Sequence, residues 1–333
     1  MTRFLLRRLA AAGLLLVLVL SAVFVLLHFL PGQLSALEDP RLPAAQRELV
    51  RHAFGLDRPL ATQYLSWMRN ALLRFDWGTS FTYKRPVLAV LGEALPASAL
   101  LAAAAIPLQY GLGLWLGVWA ARRAGGPADH VLRVLSLTLY SLPVYWLGIL
   151  AILLFALHWP LLPAGHMHSA GAFDLPAGAR TLDLLRHLIL PALVLAATNA
   201  GGIGRFVRNA LLEQLGQDYV RAARARGLSE PRVLWRHALR NALPPLLQAI
   251  GTQLPALLAG VLAVEVVFAW PGMGRLAYDA MLQRDLPLVL GWTTCNAILV
   301  LLGGLLADAL HAAIDPRIRE QSAAADPRQA QHA

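Results

Sequence analysis

Residues 217–247 read QDYVRAARARGLSEPRVLWRHALRNALPPLL, a strongly polar stretch that lies between long apolar runs. Eight arginines fall within residues 205–240, against three acidic residues. Asp218 is expected to cap a short helix that runs through Arg226, because its side chain can accept hydrogen bonds from first-turn amides. Gly227 is expected to end that helix in the left-handed region, which glycine enters without a Cβ penalty. The stretch therefore predicts a helix, a glycine break and a second helix.

The second helix is expected to begin after Ser229, with Pro231 in its first turn, where proline is tolerated. Leu228 and Val233 flank this cap at the spacing of a hydrophobic staple. The two residues are therefore expected to fix the direction in which the chain enters the second helix.

The first helix is expected to have two different faces. Helical spacing places Tyr219, Ala222 and Ala223 on one face. Arg221 and Arg224 fall on another face. A face of small side chains allows a second surface to approach closely.

The composition of the chain is typical of a polytopic membrane protein. Of its 333 residues, 57% are hydrophobic and only 14% are charged, and the mean hydropathy is +0.55. A soluble globular chain carries about 25% charged residues. The net charge of +10 does not indicate a nucleic-acid-binding protein, because the arginines separate apolar runs and form no single basic domain. With Cys295 as its single cysteine, the chain cannot build a disulfide framework.

Apolar runs predict six transmembrane helices and an all-α fold, since a bilayer core of about 30 Å takes about 20 apolar residues. Pro143 is expected to kink the third run. The first run is too long for a cleaved signal peptide and is expected to be retained. The six runs are residues 9–30, 94–121, 134–157, 188–204, 243–270 and 286–307.

The runs divide the chain into four predicted parts. Residues 1–30 form a basic leader and the first span, and residues 31–93 form an outer loop with amphipathic helices. Residues 94–314 form a five-helix core that contains a cytoplasmic loop at about 205–242. Residues 315–333 form a tail that is expected to be disordered.

Basic residues predict the orientation of the chain in the membrane. With both termini in the cytoplasm, the inner segments hold 17 of the 29 basic residues and 8 of the 19 acidic ones. Cytoplasmic loops carry an excess of lysine and arginine. The prediction is a multi-pass protein with both termini on the cytoplasmic side.

The stretch in which Ala222 and Ala223 are followed by Gly227 resembles the cytoplasmic "EAA" loop of ABC importer permeases. The longer string, residues 219–229 followed by residues 237–244, is similar to the dipeptide/oligopeptide/nickel branch of that family. Pieces of the outer loop resemble the same branch, among them the string at residues 77–80. The broad consensus of the family has Glu where this chain has Arg221.

The resemblance implies that the first short helix is a coupling helix, which docks into a groove of an ATPase subunit. The residues implied in this contact are Asp218, Tyr219, Arg221, Ala222, Ala223, Arg224, Gly227 and Leu228.

A second string resembles the outer-turn signature of the family, Glu-x-x-Phe-x-Trp-Pro-Gly-x-Gly. Glu265 is the one acid deep in an apolar run, and a structural role in the turn is favoured over a transport role. Arg275 is a plausible partner for its carboxylate. The residues of this predicted structural motif are Glu265, Trp270, Pro271, Gly272 and Gly274.

The resemblance implies a permease subunit of a bacterial inner (plasma) membrane importer that moves peptides or a related small solute by alternating access. Its implied partners are a second homologous permease, two ABC ATPase subunits and a periplasmic or lipid-anchored solute-binding protein. The chain has no Walker-type glycine loop, nucleophile elbow or HExxH motif, so it is predicted to be non-catalytic and to need no cofactor.

Two alternatives accompany this reading. A self-powered secondary transporter or channel is the rival function, which would call for paired intramembrane charges and inverted repeats. His166 and His168 could together bind nickel or copper, but two ligands without a nearby Cys or acid favour an ordinary polar loop and no metal site.

Overall fold

A computed structural model of the protein describes residues 2–29, 58–244, 246 and 262–314. Within these residues the secondary structure is helical, apart from one isolated antiparallel bridge between Thr79 and Pro86. The all-α class predicted from the apolar runs is confirmed.

The helices, in chain order, are α1 Thr2–Phe29, α2 Leu60–Arg69, α3 Val87–Ala121, α4 Pro127–Ser141, α5 Val144–Ile152, α6 Ala177–Leu215, α7 Asp218–Ala225, α8 Glu230–Arg232, α9 Leu239–Ala242, α10 Leu262–Val267, α11 Met273–Leu282 and α12 Leu286–Ile314. Wider π-helical turns extend α2 over Asn70–Arg74 and α5 over Leu153–His158, and Val233–Ala238 connects α8 to α9 in the same way.

Three helices of the described chain are long and apolar enough to cross a membrane: Val87–Ala121, Ala177–Leu215 and Leu286–Leu305. The first predicted span corresponds to α1, which contains the shorter apolar segment Ala10–Leu26. Most of the fifth predicted span, residues 243–270, lies outside the described residues. The count of six spans therefore stays a prediction.

The third predicted span, residues 134–157, is not a single kinked helix. Helices α4 and α5 meet at 99° across a short break. Leu142 is extended, with φ −79° and ψ 132°, and Pro143 stands at the N-cap of α5. Proline disfavours the α conformation in the residue before it and lacks the amide that would continue the helix. The proline at this point thus separates two helices.

The fourth predicted span, residues 188–204, is much shorter than the helix that contains it. Helix α6 has 39 residues and continues through Pro191. At 1.5 Å per residue it is about 58 Å long, roughly twice the thickness of a bilayer core. A helix of this length is too long for the bilayer core alone. The apolar run at 188–204 covers only its middle part, and polar residues extend it at both ends. Likewise, α3 begins at Val87, so the predicted boundary after residue 93 falls inside a helix.

The first of two compact units comprises Met1–Pro96 and Gly272–Ala333. Within it, α1 packs on α12, and the outer-loop helix α2 packs on α1. The ring of Phe24 stacks 5.5 Å from that of Trp67, and the hydroxyl of Ser21 lies 2.6 Å from that of Tyr64. Tyr64 and Trp67 therefore anchor α2 to α1.

The second unit comprises Ala97–Pro271. Helices α3 and α6 approach closely at glycines: a Cβ on Gly117 would lie 2.6 Å from the carbonyl oxygen of Gly204. One turn earlier on α6, a Cβ on Gly201 would lie 2.8 Å from Cα of Ser136 in α4. Small residues allow membrane helices to pack backbone against backbone. These contacts hold α6 closely against both α3 and α4, and α6 leads directly into the polar stretch.

Candidate functional site: the coupling loop and the outer turn

Helix α7 begins one residue earlier than the sequence predicts, and its cap differs. Gln217 is the extended N-cap residue, and Asp218 is the first helical residue, where no side chain caps the helix. The predicted capping role of Asp218 is therefore wrong. Its carboxylate instead contacts Arg221 at 2.8 Å on an exposed surface, and a carboxylate in the first turn is still favoured by the helix dipole.

Gly227 ends α7 in the left-handed conformation, with φ +78°, as predicted. Its amide donates to the carbonyl of Arg224 at 2.9 Å, and the amide of Leu228 donates to that of Ala223 at 3.4 Å. This pair of bonds is the Schellman motif, in which a hydrophobic contact commonly closes the end of the helix. Leu228 and Ala223 both belong to the same hydrophobic cluster. The turn is thus held by its backbone and by packing together.

The buried face of α7 is not the predicted one. Val220 and Ala223 are fully buried, and they pack with Leu211 of α6 and Val233 of the following segment. The expectation that Ala223 lies in a groove of a partner is corrected, because its side chain is already covered by its own chain. Sequence reasoning overlooked Val220, whose apolar side chain and spacing of three from Ala223 could have revealed it.

One face of α7 is left exposed by the described residues. Asp218, Arg221, Ala222 and Ala225 are exposed and follow the spacing i, i+3, i+4, i+7 of one helix face. The face combines two alanines with opposite charges at one edge. Tyr219 lies at its border, where its hydroxyl donates to Oε1 of Gln214 at 2.9 Å.

An ion pair crosses the turn between the two helices. Nε of Arg224 donates to Oε1 of Glu230 at 2.7 Å, and its terminal nitrogen donates to the second oxygen at 3.2 Å. The Arg224 guanidinium holds the pKa of the Glu230 carboxyl below its ordinary value, mainly through this hydrogen bond. The sequence offered no signal for this partnership, since six residues separate the two across a turn.

The second helix begins after Ser229, which is extended as an N-cap residue, and Pro231 lies in its first turn. No side-chain hydrogen bond caps this helix. Val233 is fully buried and Leu228 packs against the same cluster, in agreement with the predicted staple. The loop as a whole is therefore packed onto the end of α6.

The outer turn is built around a buried carboxylate. Glu265 is fully buried, and its Oε1 accepts a hydrogen bond from the hydroxyl of Ser98 at 2.6 Å. The indole of Trp270 is also fully buried and donates to the carbonyl of Ala97 at 2.8 Å. Both contacts bind the turn to the same point of α3. This geometry favours the structural role of Glu265; its pairing with Arg275 stays a prediction.

The backbone of the turn is held as well. The amide of Trp270 donates to the carbonyl of Glu265 at 2.8 Å, and Ala269 adopts a positive φ of 49°. The carbonyl of Phe268 accepts from the amide of His166 at 2.7 Å. A Cβ on Gly165 would lie 2.6 Å from that same carbonyl oxygen, so only glycine fits there. Sequence reasoning did not identify Gly165, because only tertiary contact gives it this role.

The remaining residues of the outer motif lie around the start of α11. Pro271 is exposed, while Gly272 and Gly274 are buried. Gly272 is the N-cap residue of α11, with an extended backbone. The three residues thus connect the turn to the next helix.

Of the two histidines of the predicted outer loop, His168 contacts an acidic side chain. Among the described residues no group of three or more His, Cys, Asp or Glu side chains could hold a metal ion. Nδ1 of His168 lies 3.2 Å from Asp183, whose carboxylate also accepts from the amide and hydroxyl of Ser169. The carboxylate of Asp183 therefore binds this loop to α6.

The sequence matches a known family along most of its length. Residues 113–320 match "Binding-protein-dependent transport system inner membrane component", and residues 1–102 match the N-terminal component of the same system. A chain of the MetNI methionine ABC transporter, solved in inward-facing conformations, superposes with a TM-score of 0.50 at 20% identity. The superposition covers 68% of this chain and 97% of that chain, and it supports the fold alone.

Two curated relatives agree with this match. The oligopeptide transport system permease protein AppB of Bacillus subtilis is 36% identical over 89% of this chain and 92% of its own length. The dipeptide transport system permease protein DppB of Escherichia coli is 35% identical over 96% of this chain and its own whole length. The chain therefore belongs to the family of binding-protein-dependent transport system inner membrane components.

Proposed function

We propose that this chain is the permease subunit of an ATP-driven importer that carries peptides across the bacterial inner membrane. The relatives named for oligopeptide and dipeptide transport align with nearly the whole chain. The observation that carries the proposal is the packing of residues 218–238, the coupling loop, in which α7 has one exposed face and buries the other against the end of α6. A channel or self-powered transporter has no ATPase subunit for such a helix to contact.

The proposed assembly contains a second homologous permease, two ABC ATPase subunits and a solute-binding protein outside the membrane. The family is defined by binding-protein-dependent transport, which supports the last of these partners. We assign the ATPase contact to the exposed face of α7, formed by Asp218, Arg221, Ala222 and Ala225. Arg221 and Ala222 retain their predicted role in this contact.

The proposed mechanism transmits ATPase movement through the buried side of α7. Val220 and Ala223 lie in one core with Leu211 of α6, so a displacement of α7 moves the end of α6. Packed interiors transmit displacement because they contain few voids. ATP and peptide must then favour different states of the complex through different affinities. Helix α6 is the proposed connection between the loop and the solute path.

We further propose that both termini lie in the cytoplasm, on the basis of the arginine distribution. Single cysteines at Ala170 and Ser229, both exposed, test this in a Cys295→Ala background. Ala170 is preferable to Ser169, whose hydroxyl is bonded to Asp183. An impermeant thiol reagent added outside should label Ala170→Cys at once and Ser229→Cys only after lysis. The reverse pattern would refute the orientation.

The transport function is tested with the reconstituted complex in proteoliposomes. We expect uptake of labelled di- and oligopeptides that requires ATP, the binding protein and both permeases, with no ATP hydrolysis by this chain alone. Uptake should persist when the proton gradient is collapsed while ATP is maintained. Loss of uptake under that condition would favour the self-powered rival, and robust ATP turnover by the isolated chain would contradict the assignment.

A further inference from the structure

A cleft of roughly 410 Å³ opens beside the coupling loop. The end of α3 contributes Ala121 and Arg122, and the end of α6 contributes Leu215. Leu234 and Trp235 also line the cleft. The lining therefore combines apolar side chains with the guanidinium of Arg122 and an indole that is 55% exposed.

Three charged side chains of the described residues line the cleft, and two of them pair with each other. Arg224 and Glu230 also line it, but they are bonded to each other and neutralise one another. The lowered pKa of Glu230 keeps that carboxyl ionised at neutral pH. Among the described residues no acid forms an ion pair with Arg122. The cleft thus carries one net positive charge, which suits a ligand with one negative charge and an apolar part.

A second observation places this cleft at the level of the lipid headgroups. Trp115, Trp119 and Arg123 follow each other at intervals of four residues along one face of α3. The two indoles are nearly parallel at 6.1 Å, and the Arg123 guanidinium lies 5.7 Å from the Trp119 ring. An apolar helix that ends in tryptophan and then arginine marks a membrane–water interface. Arg122 directly precedes Arg123 in the chain and is therefore at the same depth.

We propose that the cleft binds the headgroup of an anionic phospholipid, with its phosphate on Arg122 and its glycerol region against Trp235. Basic pockets between transmembrane helices recognise anionic lipid headgroups in this way, and indole rings favour the headgroup level. The bound lipid would brace the coupling loop against α3 and α6. The inference concerns the membrane boundary and stands apart from the transported solute.

The test measures lipid binding by the purified full-length chain, with native mass spectrometry in detergent. Phosphatidylglycerol and phosphatidylcholine with identical acyl chains serve as probes. We expect preferential retention of phosphatidylglycerol. Arg122→Gln should weaken it about fivefold, the change expected for one basic side chain near an anionic lipid surface. Trp235→Ala, at an exposed position, should also weaken retention.

The matched control is Arg123→Gln, which removes the same charge from the adjacent residue outside the cleft and should have a smaller effect. Equal losses for Arg122→Gln and Arg123→Gln would reduce the effect to general surface charge and overturn the site. Equal retention of both lipids would also overturn it. Displacement of the bound lipid by the purified ATPase subunit would assign the cleft to that partner instead.

Discussion

Replacement of Gly227 by valine should uncouple the loop without unfolding the chain. Gly227 has φ +78°, and a Cβ built there meets no atom within 4 Å. The penalty is therefore confined to the backbone, where a left-handed conformation costs a side chain with a Cβ about 1–2 kcal/mol. A cost of this size changes a conformational equilibrium about 5–30-fold. The strain is relieved when the Schellman bonds break, which redirects the end of α7.

The assay is peptide-stimulated ATP hydrolysis by the reconstituted complex, together with co-purification of the ATPase subunits. We expect normal membrane insertion, with stimulation reduced about 5–30-fold or ATPase binding weakened to a similar extent. Gly227→Asn should be milder, because asparagine visits the left-handed region more readily.

Gly125 provides a matched control in another loop of the same unit. It has φ +76°, and a Cβ there also meets no atom within 4 Å. Gly125→Val therefore introduces the same kind of backbone penalty between α3 and α4, and it should preserve more of the coupling. Full coupling in Gly227→Val, or an equal loss in Gly125→Val, would refute the proposed role of this turn.

Three other perturbations distinguish packing from contact. Ala223→Asp places a charge in the core and should reduce the amount of folded chain, whereas Ala222→Asp on the exposed face should preserve folding and weaken ATPase co-purification. The hydrogen bond with Arg224 lowers the pKa of the Glu230 carboxyl. The ion pair therefore stabilises the fold above the pKa that this carboxyl has in the unfolded chain, and the stabilisation is lost as pH falls through its pKa in the folded chain. Limited proteolysis of the loop should increase below about pH 4.5, and Glu230→Gln should abolish that pH dependence. Ser98→Ala removes a hydrogen bond to buried Glu265 and should lower the free energy of unfolding by about 1.5–3 kcal/mol, visible as a lower melting temperature in detergent.

Each of these three predictions has an outcome that would contradict it. Equal folding yields for the two alanine variants would mean that the buried and exposed faces of α7 are wrongly assigned. An unchanged proteolysis profile across the acid range would remove the ion pair from the stability of the turn. A melting temperature unaffected by Ser98→Ala would show that the hydroxyl contributes nothing to the outer turn.

Local signals were sufficient for features that depend on neighbouring residues. Gly227 was predicted in the left-handed region because glycine alone tolerates it cheaply, and the structure confirms it. The helix-break-helix order followed from the same logic. The all-α class followed from the lengths of the apolar runs, since in a bilayer each run must satisfy its backbone internally.

Features that depend on distant residues were not accessible in this way. Ala222 and Ala223 are chemically identical neighbours, yet one is exposed and the other is buried against the end of α6. Helical spacing allowed them to share a face, because two adjacent residues differ by only about 100° in direction. Which of them turns inward depended on where Leu211 and Val233 lie in space.

The amino-acid sequence by itself determined the helical class, the left-handed turn at Gly227 and the polar character of the loop, because these follow from backbone sterics and solvation along the chain. Only the packing of the helices brings Ser98 to Glu265 across 167 positions, requires that Gly165 lack a side chain, and makes Arg122 part of the lining of a cleft. Such contacts arise only when packing brings separate helices together, and no local pattern encodes the distance between them.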